Sequence, residues 1–145
     1  MSTLREKPAK NEIRTNCSLP CGQDYILLHF RTRQIMKIYH NPSCSKSRGT
    51  LAILREREVE TEVIEYLKTP PTAEELKRIL TLLGKQPREL LRATEAKEAG
   101  IDGLDGDALV DAMVANPITI ERPIVVTDGA AVIGRPPENV LDLIK

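Results

Sequence analysis

The order of the short apolar segments restricts the fold more than any other feature of this sequence. Residues 37–40 and 61–66 are typical of short strands, and residues 45–57 between them place Leu51 and Leu54 at helical spacing. A strand, a helix and a second strand in succession predict a βαβ unit, because parallel strands need a crossover connection.

The rest of the chain predicts helices, then a hairpin and a closing helix. Thr72 and Glu75 form a capping box that begins a helix, and Gly84 ends it. Asp128 and Gly129 form a strong hairpin turn. The other predicted elements are a helical turn over 87–92, a loop with a short helix over 93–106, a helix over 107–115, strands over 123–127 and 131–134, and a helix over 136–145. The order βαβ, helical insertion, ββα predicts an α/β protein with a thioredoxin-like fold and a mixed four-stranded sheet.

Residues 1–35 differ from the rest because they show neither a strand nor a helix period. We therefore expect a domain over residues 36–145, preceded by a disordered extension or by a start codon assigned too early. A genuine appendage is the alternative. Cys17 and Cys21 lie in this segment, and we expect them to be incidental, although a metal pair or a resolving thiol is conceivable.

The charge balance and the cysteine count limit the classes of function. Lys plus Arg and Asp plus Glu both number 21, so the zero formal net charge gives no general case for nucleic acid or for an anionic membrane. No apolar run approaches the ~20 residues that span a bilayer, so we expect a soluble, cytoplasmic protein. We also expect a monomer. The three cysteines are an odd number, which favours free thiols in a reducing compartment.

Cys44 lies between the first predicted strand and the first predicted helix. A helix N-terminus offers partial positive charge and free N–H groups, which stabilise a thiolate and bind oxyanions, and Lys46 and Arg48 add positive charge. An inert buried thiol is the alternative, although the neighbouring residues are polar. Ser47 stands where a dithiol enzyme has its second cysteine, so any redox cycle at Cys44 needs an external thiol.

Five segments around this site resemble the ArsC family of arsenate reductases. They are HNPSCSKSR (40–48), EYLKTPP (65–71), RELLR (88–92), NPITIERPIVV (116–126) and IGRPP (133–137). The resemblance runs from residue 36 to residue 145. The stretch over 93–107 is shorter than expected for the family, and Ala93 replaces the frequent Thr or Lys, which puts the fit of the substrate in doubt.

The resemblance implies a role for five residues, and the helix N-terminus at Cys44 adds two more. The nucleophile falls on Cys44, and a histidine that assists it falls on His40, for which packing or capping is the alternative. By resemblance, substrate binding is expected from Arg92, Arg122 and Arg135. Ser47 and Arg48 are expected to take part because they follow Cys44 in the anion-binding first turn. Arginine suits a tetrahedral oxyanion because its guanidinium stays charged and offers a planar fork of donors. Thioredoxin-like folds also place a cis proline opposite the active cysteine, which implies a cis bond between Arg122 and Pro123.

The function that the resemblance implies is arsenate reduction. The Cys44 thiolate attacks arsenate, glutathione attacks the adduct as a co-substrate, glutaredoxin regenerates the enzyme, and arsenite leaves. No metal and no bound cofactor is expected. One alternative is a related glutathione-linked thiol oxidoreductase that does not act on arsenate. The other is an Spx-like regulator that binds RNA polymerase, against which Ser47 argues, because that redox switch needs a second cysteine.

Overall fold

The computed structural model describes residues 35–145. The predictions for residues 1–34, including those for Cys17 and Cys21, therefore lie outside the described residues. The elements in chain order are β1 (Met36–His40), α1 (Ser45–Glu56), β2 (Thr61–Glu65), α2 (Ala73–Leu83), α3 (Ala93–Ala99), α4 (Gly106–Ala115), β3 (Ile124–Val126) and β4 (Ala131–Ile133). Three 3₁₀ helices span Pro87–Leu90, Pro117–Thr119 and Pro137–Leu143.

The four strands form one mixed sheet in the order β2-β1-β3-β4. β1 and β2 are parallel, with Ile38 opposite Val63, and β3 is antiparallel to both β1 and β4. This arrangement confirms the predicted βαβ unit, the hairpin and the thioredoxin-like fold. Because β1 and β2 are parallel, their C-terminal ends meet at the same edge of the sheet.

The sheet separates two apolar clusters, since neighbouring side chains of a strand point to opposite faces. Tyr39 and Ile124 belong to the larger cluster, which includes residues of α2 and α4. Ile38 and Val125 belong to the smaller one, together with Leu54 of α1 and others. The central strands β1 and β3 are thus covered on both faces. α1 follows β1 and begins at the edge of the sheet where β1 ends.

The boundaries of α2 follow the predicted signals. The Thr72 hydroxyl accepts a hydrogen bond from the Glu75 backbone N–H at 3.1 Å, which satisfies one of the free donors of the first turn. Gly84 ends the helix with φ of 63°, in the left-handed region that glycine adopts without strain. Thr72 and Gly84 were therefore a sound guide to this helix. The second half of the predicted capping box does not form, because the Glu75 carboxylate accepts from the Tyr39 hydroxyl instead.

The last element differs from the prediction. The segment expected to be a helix up to residue 145 is a 3₁₀ helix over Pro137–Leu143. Pro136 and Pro137 stand at its start, where an α-helix also tolerates proline, and short segments at chain ends often adopt the tighter helix. In the part of the chain that the structure describes, no helix is long and apolar enough to cross a membrane.

Candidate active site

Cys44 is the N-cap of α1, as the strand–turn–helix pattern predicts. The turn before it is held by two hydrogen bonds of Asn41. Its carbonyl oxygen accepts from the Cys44 N–H at 3.1 Å, and its side-chain Oδ1 accepts from the Ser43 N–H at 2.9 Å. The Cys44 carbonyl then accepts the first helical bond, from the Arg48 N–H at 3.0 Å. The half-buried thiol therefore faces the free N–H groups of the first helical turn.

The surroundings of Cys44 lower the pKa of its thiol. Burial acts in the opposite direction and is the largest single influence, but the combined effect of the other groups exceeds it. These are the backbone N–H groups of Ser47 and Lys46, followed by the guanidinium of Arg122. The direction is the predicted one, and the helix N-terminus precedes the cations, also as predicted. Among the side chains, Arg122 is the main cation that lowers this pKa.

His40 and Ser47 form a buried pair beside the turn. The Ser47 hydroxyl lies 2.7 Å from Nδ1 of His40 and accepts a hydrogen bond from the Asn41 N–H at 3.0 Å. Burial of the imidazole is the main cause of its lowered pKa, so the ring is neutral at neutral pH. Among the contacts of the described residues, His40 reaches the cysteine turn through Ser47 and makes no hydrogen bond to Cys44 itself.

Arg122 is the arginine that the structure places against Cys44. Its bond to Pro123 is cis, as predicted, and its guanidinium lies near enough to the sulfur to lower the pKa of the thiol. The Nη1 atom also donates to the Tyr66 hydroxyl and to the Ile118 carbonyl, both at 3.4 Å. One nitrogen of the guanidinium is therefore held by two acceptors close to the nucleophile.

Arg92 is brought to the site by a short antiparallel pairing between its segment and the one that leads to Arg122. Leu91 pairs with Ile120, and the Arg92 N–H donates to the Thr119 carbonyl at 2.8 Å. Nη1 of Arg92 forms an ion pair with Glu95, one helical turn further on. Arg92 thus lies next to the Arg122 segment with a carboxylate already at its guanidinium.

Arg135 is the most exposed of the three arginines, with 47% of its side chain accessible. Its Nη1 lies 3.2 Å and 3.4 Å from the two carboxylate oxygens of Glu121. The same carboxylate accepts a hydrogen bond from the backbone N–H of Arg122 at 3.2 Å. Glu121 therefore connects Arg135 to the segment that carries Arg122, but the structure shows no contact between Arg135 and Cys44.

Close packing fixes the backbone behind Arg122. The Gly134 N–H donates to the Pro123 carbonyl at 2.8 Å. A Cβ atom on Gly134 would lie 2.4 Å from Thr50 Oγ1 and 2.8 Å from Pro123 Cγ. Glycine at this position lets α1, Pro123 and β4 approach one another, and so joins the element that carries Cys44 to the segment that carries Arg122.

The structure thus brings Cys44 and Arg122 together, places His40 and Ser47 beside them, and leaves Arg48 apart. The Arg48 guanidinium donates to the Pro42 carbonyl at 2.8 Å and is exposed. The sequence interpretation missed three residues, which are Tyr66, Glu95 and Glu121. The i,i+3 spacing could have revealed Glu95, and the position of Tyr66 directly after a parallel strand could have placed it at this edge.

Metal binding finds no support in the described residues. Over residues 35–145, no group of three His, Cys, Asp or Glu side chains is arranged to hold an ion. The chemistry available at this site is that of an activated thiol surrounded by backbone donors and guanidinium groups.

The fold and the site define a thioredoxin-like protein with a single active-site cysteine, since Ser47 occupies the place of a second one. The profile of the ArsC family matches residues 39–143, and the chain belongs to this family. It is 52% identical over 118 residues to the uncharacterized protein YfgD of Escherichia coli K12, covering 78% of this chain and 98% of that one. It is 47% identical over 110 residues to the arsenate reductase of Neisseria meningitidis serogroup B, covering 72% and 94%. The solved structure of an arsenate reductase from Vibrio cholerae superposes with a TM-score of 0.68 at 46% identity, covering 75% of this chain and 97% of that one.

Proposed function

We propose that this protein is an arsenate reductase in which Cys44 is the nucleophile and glutathione and glutaredoxin supply the electrons. The observation that carries the proposal is the environment of the sulfur. Two backbone N–H groups and the Arg122 guanidinium surround a thiol whose pKa is lowered. The same donors that stabilise the thiolate can also bind the oxygens of a tetrahedral anion. The names of the relatives support arsenate as that anion.

The proposed reaction begins with the attack of the Cys44 thiolate on arsenic. An S–As bond forms, and one arsenate oxygen leaves as water after protonation. Glutathione then attacks the Cys44 sulfur, and the electron pair of the S–As bond stays with arsenic, which leaves as arsenite. Glutaredoxin reduces the remaining mixed disulfide between Cys44 and glutathione. The cycle uses no metal and no bound cofactor, and Ser47 supports it because no second cysteine can close an internal disulfide at that position.

The arginines share the binding of the anion. Arg122 lies near enough to the sulfur to lower the pKa of the thiol, so it is placed to hold an oxyanion during the attack. Arg92 is paired with Glu95, and Arg135 is paired with Glu121. When either arginine binds substrate, an oxygen of the anion replaces the carboxylate at its guanidinium. The neutral His40 keeps its hydrogen bond with Ser47 and so fixes the first turn of α1 around Cys44.

The test is an arsenate reduction assay with purified protein and glutathione, with and without glutaredoxin. We expect arsenite to form, faster with glutaredoxin, and Cys44→Ser to abolish it because a hydroxyl is a far weaker nucleophile at neutral pH. Cys17→Ser and Cys21→Ser are the matched controls and should retain wild-type turnover. Substantial activity in Cys44→Ser would refute the mechanism. Thiol-disulfide exchange with glutathione but no arsenite would instead favour a thiol oxidoreductase that does not act on arsenate.

The setting of the reaction is part of the same proposal. We place the enzyme in the cytoplasm, because its thiol chemistry needs a reducing compartment. We also expect it to act as a monomer. Analytical ultracentrifugation of the full chain and fractionation of cells that express it would test the two statements.

A further inference from the structure

Tyr66 lies at the centre of the site, although no role is assigned to it above. It follows β2 directly, so it lies at the same edge of the sheet as the end of β1 and the turn to Cys44. Its side chain is 1% exposed, and its hydroxyl accepts a hydrogen bond from Nη1 of Arg122 at 3.4 Å. Arg92 and Cys44 are near enough for their charges to change the pKa of the phenol. The hydroxyl thus contacts Arg122 and lies within the electrostatic range of Cys44 and Arg92.

The hydroxyl has a proton that it can donate. Burial is the largest influence on the pKa of Tyr66 and raises it, so the phenol is neutral at neutral pH. Its oxygen accepts from Arg122, and over residues 35–145 no acceptor is paired with its O–H group. A buried donor without a partner costs free energy, so an acceptor that arrives at this position is stabilised. An oxygen of an anion bound by Arg122 is such an acceptor.

We propose that Tyr66 is an oxyanion-binding residue, which donates its O–H group to an oxygen of the tetrahedral anion at Cys44 while it accepts from Arg122. The inference rests on the proposed function for the identity of the anion, but it requires only that an oxyanion binds beside Cys44. The hydroxyl adds a directed donor without adding charge. It therefore favours anions with oxygen acceptors over small neutral electrophiles that react with the same thiol.

The test variant is Tyr66→Phe, which keeps the buried ring and removes both the O–H donor and the oxygen that accepts from Arg122. Tyr39→Phe is the matched control, because Tyr39 is also buried but its hydroxyl donates to Glu75 on α2. The probe is the protection of Cys44 from iodoacetamide by arsenate and, separately, by phosphate. We expect Tyr66→Phe to weaken protection about 10- to 100-fold, the usual effect of losing a hydrogen bond to a charged group. The pH dependence of alkylation without anion shows whether Arg122 still lowers the pKa of Cys44 in the variant. Weaker protection with an unchanged midpoint is the effect of the lost donor, whereas weaker protection that is fully explained by a raised midpoint would overturn the donor role.

The outcomes separate this inference from the proposed function. Equal protection in wild type and Tyr66→Phe, or equal losses in Tyr66→Phe and Tyr39→Phe, would overturn it. Failure of both anions to protect wild-type Cys44 would also overturn it. If wild type reduces no arsenate but its protection by either anion depends on Tyr66, arsenate reduction is refuted and the role of Tyr66 stands. If arsenate reduction is intact and Tyr66→Phe lowers kcat/KM about as much as protection, both are supported.

Discussion

Replacement of Gly134 by alanine should destabilise the domain strongly, because the added methyl group has no space. It would lie 2.4 Å from Thr50 Oγ1 and 2.8 Å from Pro123 Cγ, closer than a real Cβ atom approaches either. Thr50 cannot turn away freely, since its hydroxyl donates to the Lys46 carbonyl at 3.0 Å. Overpacking costs about 1–3 kcal/mol, and two constrained neighbours place this case near the upper end.

Thermal unfolding measured by circular dichroism checks this prediction. A loss of about 3 kcal/mol corresponds to a midpoint roughly 10–15 °C lower in a domain of this size. Gly103→Ala is the matched control, because among the described residues no heavy atom lies within 4 Å of its added Cβ. If Gly134→Ala is too unstable to purify, Thr50→Ala in the same chain should restore part of its stability by removing the nearest contact. A midpoint for Gly134→Ala equal to that of Gly103→Ala would refute the packing argument.

Three further predictions concern charge at the site. The alkylation rate of Cys44 should rise with pH around a midpoint below the ~8.5 of a free thiol, and a midpoint at or above that value would remove the case for an activated nucleophile. Arg122→Lys should lower kcat/KM about tenfold or more, since lysine keeps the charge but loses the planar fork. Arg78→Lys, at an exposed position of α2, is the control and should leave kcat/KM unchanged. Equal kinetics of the two variants would contradict the role of Arg122. The lowered pKa of buried His40 means that its neutral form stabilises the fold above about pH 6.5 and that this contribution is lost as the pH falls. In urea unfolding, His40→Asn should therefore lose less stability than wild type between about pH 7 and pH 5. Parallel pH profiles would show that another group controls acid sensitivity.

The sequence predicted the elements whose causes are local. α2 begins after Thr72 and ends at Gly84 because caps act within a few residues. Cys44 is the N-cap of α1, and Pro42 disfavours the helical region for the residue before it, so the helix does not start earlier. The closing helix was predicted less well, because sequence period does not distinguish an α-helix from a 3₁₀ helix in a short segment that begins with prolines. The cis bond of Arg122 was predicted from resemblance and not from local physics.

The sequence by itself determined where the nucleophile stands, and only the tertiary structure decided which groups surround it. Lys46 and Arg48 were the nearest cations along the chain, yet Arg48 donates to the Pro42 carbonyl and Arg122 reaches the sulfur. Arg122 arrives there because β3 pairs antiparallel with β1 and carries the residues before it to the Cys44 edge. Tyr66 arrives at the same edge because β2 runs parallel to β1. Charge and spacing in a sequence describe neighbours within a helical turn. Contacts between residues tens of positions apart depend on strand order and register, and no local interaction determines these.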